Sequence, residues 1–436
     1  MFNRLNKQGG SAMIYRPELE CADRATIQAH QLARLNELLA EVLPRNRFYA
    51  ARYGTRRLPL DWDAFAALPL ITKADLVADQ AAHPPLGQIA TYAERDYVAY
   101  HQTSGTTGRP LRVFDTAASW RWWLECWRYV YAGAGVTAED RVFCAFGFGP
   151  FIGFWSAFEG ARLVGALAIP GGGMDTVRRL DAIRELRATV LLCTPTYALH
   201  MLEQAQQLGI DLAASDVRVT IHAGEPGASI PSVRQRIEAG WGARCYDHGG
   251  ATEVGAFGYP CEAQAGLHIN EAEFIAEIID PASGRPVAEG QEGELVLTNL
   301  GRAGWPAIRY RTGDRARHGG YGCACGRTTL LLPGGILGRA DDMLIIRGVN
   351  VYPSAVEAIV REFPEVAEFR MIVTRAGALD ALTLEVETVA DDCAARVAQA
   401  LRRRLNLRVD VQAVPPGALP RWELKARRVV DRRPAE

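Results

Sequence analysis

The stretch HQTSGTTGRP at residues 101–110 sets four hydroxyl side chains, Thr103, Ser104, Thr106 and Thr107, around Gly105, Gly108 and Pro110. Glycines let backbone N–H groups approach an anion and the hydroxyls add donors, which is the chemistry of a phosphate-holding loop. The run lacks the Gly-Lys-Ser/Thr ending of nucleoside-triphosphatase P-loops, so a magnesium site of that kind is not offered. Alone, it reads equally well as a glycine turn with solvated hydroxyls. A second group is soft in character: Cys261 and His268 in YPCEAQAGLH, Cys323 and Cys325 in GYGCACGRT. Three thiols and an imidazole could close a tetrahedral Zn²⁺ site with no open position, hence a structural one. The competing reading is buried thiols, since the spacing of Cys323 and Cys325 is tighter than the common one.

Positioning such groups takes a large scaffold, and 436 residues with 48% hydrophobic and 23% charged content can bury one and divide it. The formal charge is -1, from 49 basic and 50 acidic side chains, which provides no global field toward nucleic acid or an anionic membrane. No apolar run reaches the length of a spanning helix, and the start lacks the apolar core of a signal peptide. Nine scattered cysteines fit a reducing compartment, so a soluble cytoplasmic protein is expected. After the helical pattern of RATIQAHQLARLNELLAEVL, short apolar strands (RVFCAFGF, ATVLLCTP, DVRVTIHAG) alternate with helices (MDTVRRLDAIRELR, TPTYALHMLEQAQQLG), the rhythm of an α/β fold over a parallel sheet. Beyond about residue 270, EFIAEIIDP and GELVLTNL read as antiparallel strands. The turn-rich LLPGGILGRADD marks a boundary, giving a large domain over 1–338 and a small α+β domain over 339–436. In the latter MLIIRGVNVY, PSAVEAIVREF, VAEFRMIVT, ALTLEVET, CAARVAQALRRRL and VDVQAVP read as strand, helix, two strands, helix and strand.

TSGTTGRP, AGEP at 223–226, GGATE at 249–253, YRTGD at 310–314, GRADDMLIIRG at 338–348 and the closing LPRWELKARR recur in that order, and together they resemble the acyl-adenylate-forming (AMP-binding) superfamily. Chain length, GVNVYPSAVE and LKARRVVDRRP are most similar to phenylacetate-coenzyme A ligases. The resemblance implies a large α/β domain and a small mobile one. It also implies an acid-thiol ligase that uses ATP and Mg²⁺ to turn a small aryl carboxylic acid into an acyl-adenylate and then into a coenzyme A thioester. An adenylating enzyme that loads the phosphopantetheine arm of an acyl carrier protein is the nearest rival, and a homodimer is one state the chain could take.

By the same resemblance, Ser104, Gly105, Thr106, Thr107 and Gly108 hold phosphates, and Gly224, Glu225, Pro226, Gly250, Ala251 and Thr252 line the nucleotide. Glu253 helps bind Mg²⁺, Asp314 accepts from the ribose hydroxyls, Arg339 meets ribose or phosphate, and Asp341 is the interdomain hinge. Gly348 lies near the thiol tunnel, and Lys425 bridges the substrate carboxylate and the α-phosphate. The first step needs no general base, because a carboxylate is its own nucleophile at neutral pH. Similar Cys and His positions in some phenylacetate ligase relatives favour the zinc reading. The acyl pocket falls on FGFGPFIGFWSAFEG, with Phe148, Phe151 and Gly153, while His222 either faces it or is a satisfied core histidine. Trp120, Trp123 and Trp127 share one helical face and read as core. Two departures stand out. Gly249 occupies the position where the family usually carries an adenine-facing aromatic, leaving Tyr246 and His248 to compensate, and Leu424 replaces a common glycine before the lysine.

Overall fold

The computed structural model describes residues 13–433 except 55, 104–109, 341, 347–348, 377–378, 406 and 423–425. Helix α1 (Arg24–Val42) starts where the Asp23 carboxylate accepts the Thr26 amide at 2.7 Å, and its Ile27, Leu35, Leu38, Leu39 and Val42 turn inward. Helix α2 (Lys73–Ala82) is opened by a capping box between Thr72 and Asp75, which puts Lys73 at its first position. Strands β1 (Tyr97–Gln102) and β2 (Arg112–Thr116) form an antiparallel hairpin whose connection is the hydroxyl-rich loop.

From there helices alternate with parallel strands: α3 (Ala117–Gly133), β3 (Arg141–Cys144), α4 (Ile152–Val164), β4 (Leu167–Pro170), α5 (Thr176–Glu185), β5 (Val190–Cys193), α6 (Pro195–Gln207), β6 (Val219–His222), α7 (Pro231–Trp241) and β7 (Arg244–Asp247). The sheet order is β4-β3-β5-β6-β7. Alternate residues feed two cores: Val142, Cys144, Val190 and Leu192 enter one, Phe143, Leu191 and Cys193 the other. Burial on both faces is why these strands read as continuous apolar runs. Two antiparallel sheets follow. Strands β8 (Gly249–Ala251), β9 (Gly255–Tyr259) and β10 (Leu267–Ile269) join a late short strand, β14, and β11 (Phe274–Ile279), β12 (Glu292–Asn299) and β13 (Tyr310–Arg317) join another, β15. These late strands are β14 (Leu331–Leu332) and β15 (Gly338–Arg339).

A third core draws only on residues 346–409. Here MLIIRGVNVY folds as two paired strands, β16 (Leu344–Ile346) and β17 (Val349–Val351), rather than the single strand expected. They lead to α8 (Pro353–Val360), β18 (Phe369–Ala376), β19 (Leu379–Glu387), α9 (Cys393–Leu405) and β20 (Asp410–Val414). The basic tail contributes an unanticipated strand, β21 (Val429–Asp431), parallel to β18, so the small sheet runs β20-β19-β18-β21. No helix among the described residues is long and apolar enough to cross a membrane.

One buried ion pair ties the hairpin to the GGATE segment. Arg302 donates from Nε and Nη2 to the two carboxylate oxygens of Asp115 on β2, both at 2.7 Å, with both side chains fully buried. Its Nη1 donates to the carbonyls of Thr252 (3.0 Å) and Glu253 (3.2 Å). Asp115→Ala would strand that guanidinium without a counter-charge and should cost about 3–5 kcal/mol in urea unfolding. A loss below about 1 kcal/mol would show that the pair does not hold these segments together.

Candidate active site

The hydroxyl-rich loop closes at its base, where the Thr103 amide donates to the Leu111 carbonyl and the Thr103 hydroxyl accepts the Leu111 amide, both at 3.0 Å. Ser104, Gly105, Thr106, Thr107 and Gly108 lie outside the described residues, as do Asp341, Gly348 and Lys425. Glu253 is nearly buried, and its carboxylate stands 3.4 Å from the ammonium of Lys73. Tyr310 packs against the same carboxylate; burial first, then Glu253, push its phenol well up. Lys73 was not singled out from sequence, though the capping box in ITKAD fixes its place on the helix.

In AGEP, Gly224 has φ of +94°, a left-handed conformation suited to glycine, and it turns the chain into Glu225 and Pro226. Both Glu225 carboxylate oxygens are engaged: Oε1 accepts the Thr196 amide at 3.0 Å and Oε2 accepts the Ala426 amide at 2.8 Å. Ala426 is the residue after Lys425. A small cleft beside this loop is lined by Ser229, Tyr246, Asp247, Gly266 and Gly334. Burial pushes the Asp247 carboxyl up to about 6 against hydrogen bonds from the Ser229 hydroxyl and the His248 amide. A carboxylate there is suited to accept from a ring amino group. Sequence reading missed it.

Gly249 has no room for an aromatic, since a Cβ there would come within 2.8 Å of Phe257 on β9 and 3.2 Å of Leu267. Of the two residues considered as replacements, His248 is core-packed. Its Nδ1 bonds the Gly258 carbonyl at 2.7 Å, its ring lies 4.5 Å from Trp127, and burial lowers its pKa to about 4. Tyr246 is the one on the cleft. Gly250 and Ala251 continue along β8, and the Thr252 carbonyl is held by Arg302.

Asp314 on β13 and Arg339 on β15 are cross-strand partners, with Nη1 3.4 Å from Oδ1 and 3.0 Å from the Thr312 carbonyl. The structure thus brings these two predicted residues together. Phe148 packs edge-on against Phe158 at 5.4 Å, Phe151 against Phe154 at 6.0 Å, and Gly153 opens onto free space. His222 is not with them. It is fully buried, with Nδ1 on the Cys193 carbonyl at 3.1 Å and Nε2 on the Thr220 hydroxyl at 2.9 Å, and burial lowers its pKa to about 4. That is the core histidine, not a pocket-facing one. Trp123 and Trp127 are likewise buried and Trp120 partly so.

Cys261, His268, Cys323 and Cys325 bring their ligand atoms within 4.8 Å of one another. Cys261 and Cys323 sulfurs are 3.8 Å apart, and Cys325 Sγ is 3.5 Å from His268 Nε2. A tetrahedron with bonds of 2.3 Å to sulfur has edges of about 3.8 Å, so the four atoms fit such an ion. His268 Nδ1 bonds the Thr329 hydroxyl at 3.1 Å, which aims Nε2 at the thiols. Burial pushes the Cys325 thiol up, but His268 and Arg327 outweigh it and hold it down at about 5.

Two family models match: AMP-binding enzyme over residues 52–301 and AMP-binding enzyme C-terminal domain over 348–433. A phenylacetate-coenzyme A ligase of Thermus thermophilus is 33% identical, covering 97% of this chain and all of that protein. One of Escherichia coli is 33% identical over 95% and 97% respectively. A solved 2-hydroxyisobutyryl-CoA ligase in the postadenylation state, in complex with R3-HIB-AMP, superposes with TM-score 0.89 at 30% identity, covering 95% of this chain and 91% of that one. The same enzyme in its thioesterification state, with 2-HIB-AMP and CoA, gives 0.72 at 31% identity, covering 96% and 92%. The two lobes here are therefore arranged more like the former state than the latter. The chain belongs to the acyl-adenylate-forming AMP-binding superfamily and, within it, to the phenylacetate-coenzyme A ligase family.

Proposed function

We propose that the protein is an ATP-dependent aryl-carboxylate ligase that makes an acyl-adenylate and then a coenzyme A thioester, acting in the cytoplasm. The observation that carries this reading is the bond from the amide after Lys425 to AGEP, in a lobe arrangement akin to a postadenylation state. In the first half-reaction a carboxylate oxygen attacks the α-phosphorus of ATP, the bond to the β-phosphate oxygen breaks, and pyrophosphate leaves. In the second, a thiolate attacks the acyl carbon, AMP leaves, and the thiol proton goes to solvent.

Both reactants of the first step are anions, so the residues have mainly to align them and neutralise charge. Lys425 bridges the two, and Lys73 adds a second ammonium near Glu253. Glu253 would hold Mg²⁺, as a buried carboxylate suits a hard cation, and the ion neutralises phosphate oxygens when bound. The 104–108 loop takes the terminal phosphates, Asp314 the ribose hydroxyls, and Tyr246 with Asp247 the base. The Phe148, Phe151 and Phe154 cluster at the start of α4 offers aromatic faces to a flat acyl group. We further assign a structural zinc to Cys261, His268, Cys323 and Cys325, and a division of the chain at 338/339 with Asp341 as hinge. No observation favours a carrier protein over coenzyme A.

Pyrophosphate exchange across a panel of aryl acids tests the reading, with exchange expected for at least one and its absence for all contradicting it. Lys425→Ala should cut exchange about 10²- to 10³-fold, the usual loss on removing a donor to developing negative charge, while thioester formation from supplied acyl-adenylate persists. Equal loss in both halves would count against the assigned role. Protein purified without a histidine tag should carry about one zinc per chain, and Cys323→Ser should lower both zinc content and melting temperature. Wild-type protein with no zinc at full stability would refute that site.

A further inference from the structure

We infer that Glu225 is a positioning residue rather than a nucleotide ligand: with Thr196 it forms a separable dock for the segment after Lys425, and it governs the adenylation half-reaction alone. This rests on the function proposed above.

The chemistry of the contacts supports it. The Glu225 carboxylate spends one oxygen on Thr196, in the first turn of α6, and the other on Ala426 of the small lobe. Two residues further on, Arg428 reaches across the same boundary, its Nη2 donating to the Thr196 hydroxyl at 3.0 Å. Arg428 is buried, yet its charge is balanced inside its own lobe, by Glu368 at 2.7 Å and Glu357 at 2.9 Å. The bonds that cross between lobes at this point are therefore an amide on a carboxylate and a guanidinium on a hydroxyl.

Parting them removes the longer-range attraction of Glu225 for Arg428 but leaves Arg428 on its two nearest carboxylates, so no buried charge is left without a partner, the circumstance that makes broken ion pairs costly. Arg428 keeps both glutamates, and Glu225 keeps the α6 amide, a favourable position for a carboxylate at a helix N-terminus. The partly buried pair Arg421–Glu203 at 3.0 Å also crosses the boundary, and on parting Arg421 keeps Glu387 of its own lobe at 2.7 Å. The dock is thus directional enough to register the tail and weak enough to release. It shares its backbone with Gly224, so nucleotide loop and tail are set by one turn.

The test compares wild type with Glu225→Ala, Thr196→Val and Thr196→Ser in three assays: pyrophosphate exchange, thioester formation from supplied acyl-adenylate, and amide hydrogen exchange over 426–431. Glu225→Ala should slow pyrophosphate exchange about 10- to 100-fold, the range for losing a hydrogen bond to a charged group. KM for ATP and the thioester step should stay within about twofold. Thr196→Val should show a smaller loss of the same kind, with Thr196→Ser restoring it. Amide exchange over 426–431 should rise about tenfold in Glu225→Ala, with α8 unchanged. Equal loss in both half-reactions, a raised KM for ATP at unchanged kcat, or unaltered amide exchange would each overturn the proposal. If wild type activated no acid at all, the reading of function would fail, and hydrogen exchange would still decide the dock.

Discussion

A guanidinium buried where two lobes meet needs counter-charge, and the location of that counter-charge decides whether the lobes can separate. Arg428 has its counter-charge within the small lobe, from Glu357 and Glu368. Burial pushes the Glu368 carboxyl up, but Arg361 and Arg428 outweigh it and hold it at about 2. That glutamate is therefore ionised at neutral pH, and its pair with Arg428 travels with β21 and the tail. Were either glutamate on the large lobe, every opening would expose an unpaired charge at a cost of several kcal/mol. An enzyme whose two half-reactions use different faces of one lobe needs an interface of the first kind.

The large lobe is built the opposite way, with its charges locked. Arg302 and Asp115 pair at zero exposure and fix β2 against the carbonyls of Thr252 and Glu253. Asp314 and Arg339 are set by the register of β13 and β15. The cysteine and histidine cluster gathers ligand atoms from just after β9, from β10 and from the loop before β14. Strands of the large lobe hold its charged groups in register, and the small lobe meets that lobe here through the Ala426 amide, the Arg428 guanidinium and the Arg421–Glu203 pair.

Much of this was legible in the sequence, because some signals are local. Apolar runs marked β3, β5 and β6, and helical patterns marked α1 and α6. The order of glycine-rich motifs marked the family. Other features depend on distance in space. Lys73 lies 180 residues from Glu253 along the chain and meets it only after folding. Arg428 sat in a basic run that resembles a solvated face, and its burial depends on carboxylates from α8 and from the residue ahead of β18. The missing aromatic at Gly249 was visible as a departure, but its cause, Phe257 filling that space, required the pairing of β8 with β9. His222 could not be assigned from its neighbours in sequence, as the carbonyl that holds its Nδ1, that of Cys193, comes from β5.

The most direct measurement is a crystal structure with a non-hydrolysable acyl-adenylate analogue. The base is expected against Tyr246 and Asp247, the ribose on Asp314, and the acyl-phosphate mimic facing the small lobe, with Glu225 still bonded to the Ala426 amide. An analogue bound away from Asp314, or a Glu225 carboxylate turned onto the nucleotide with the tail released, would contradict this expectation.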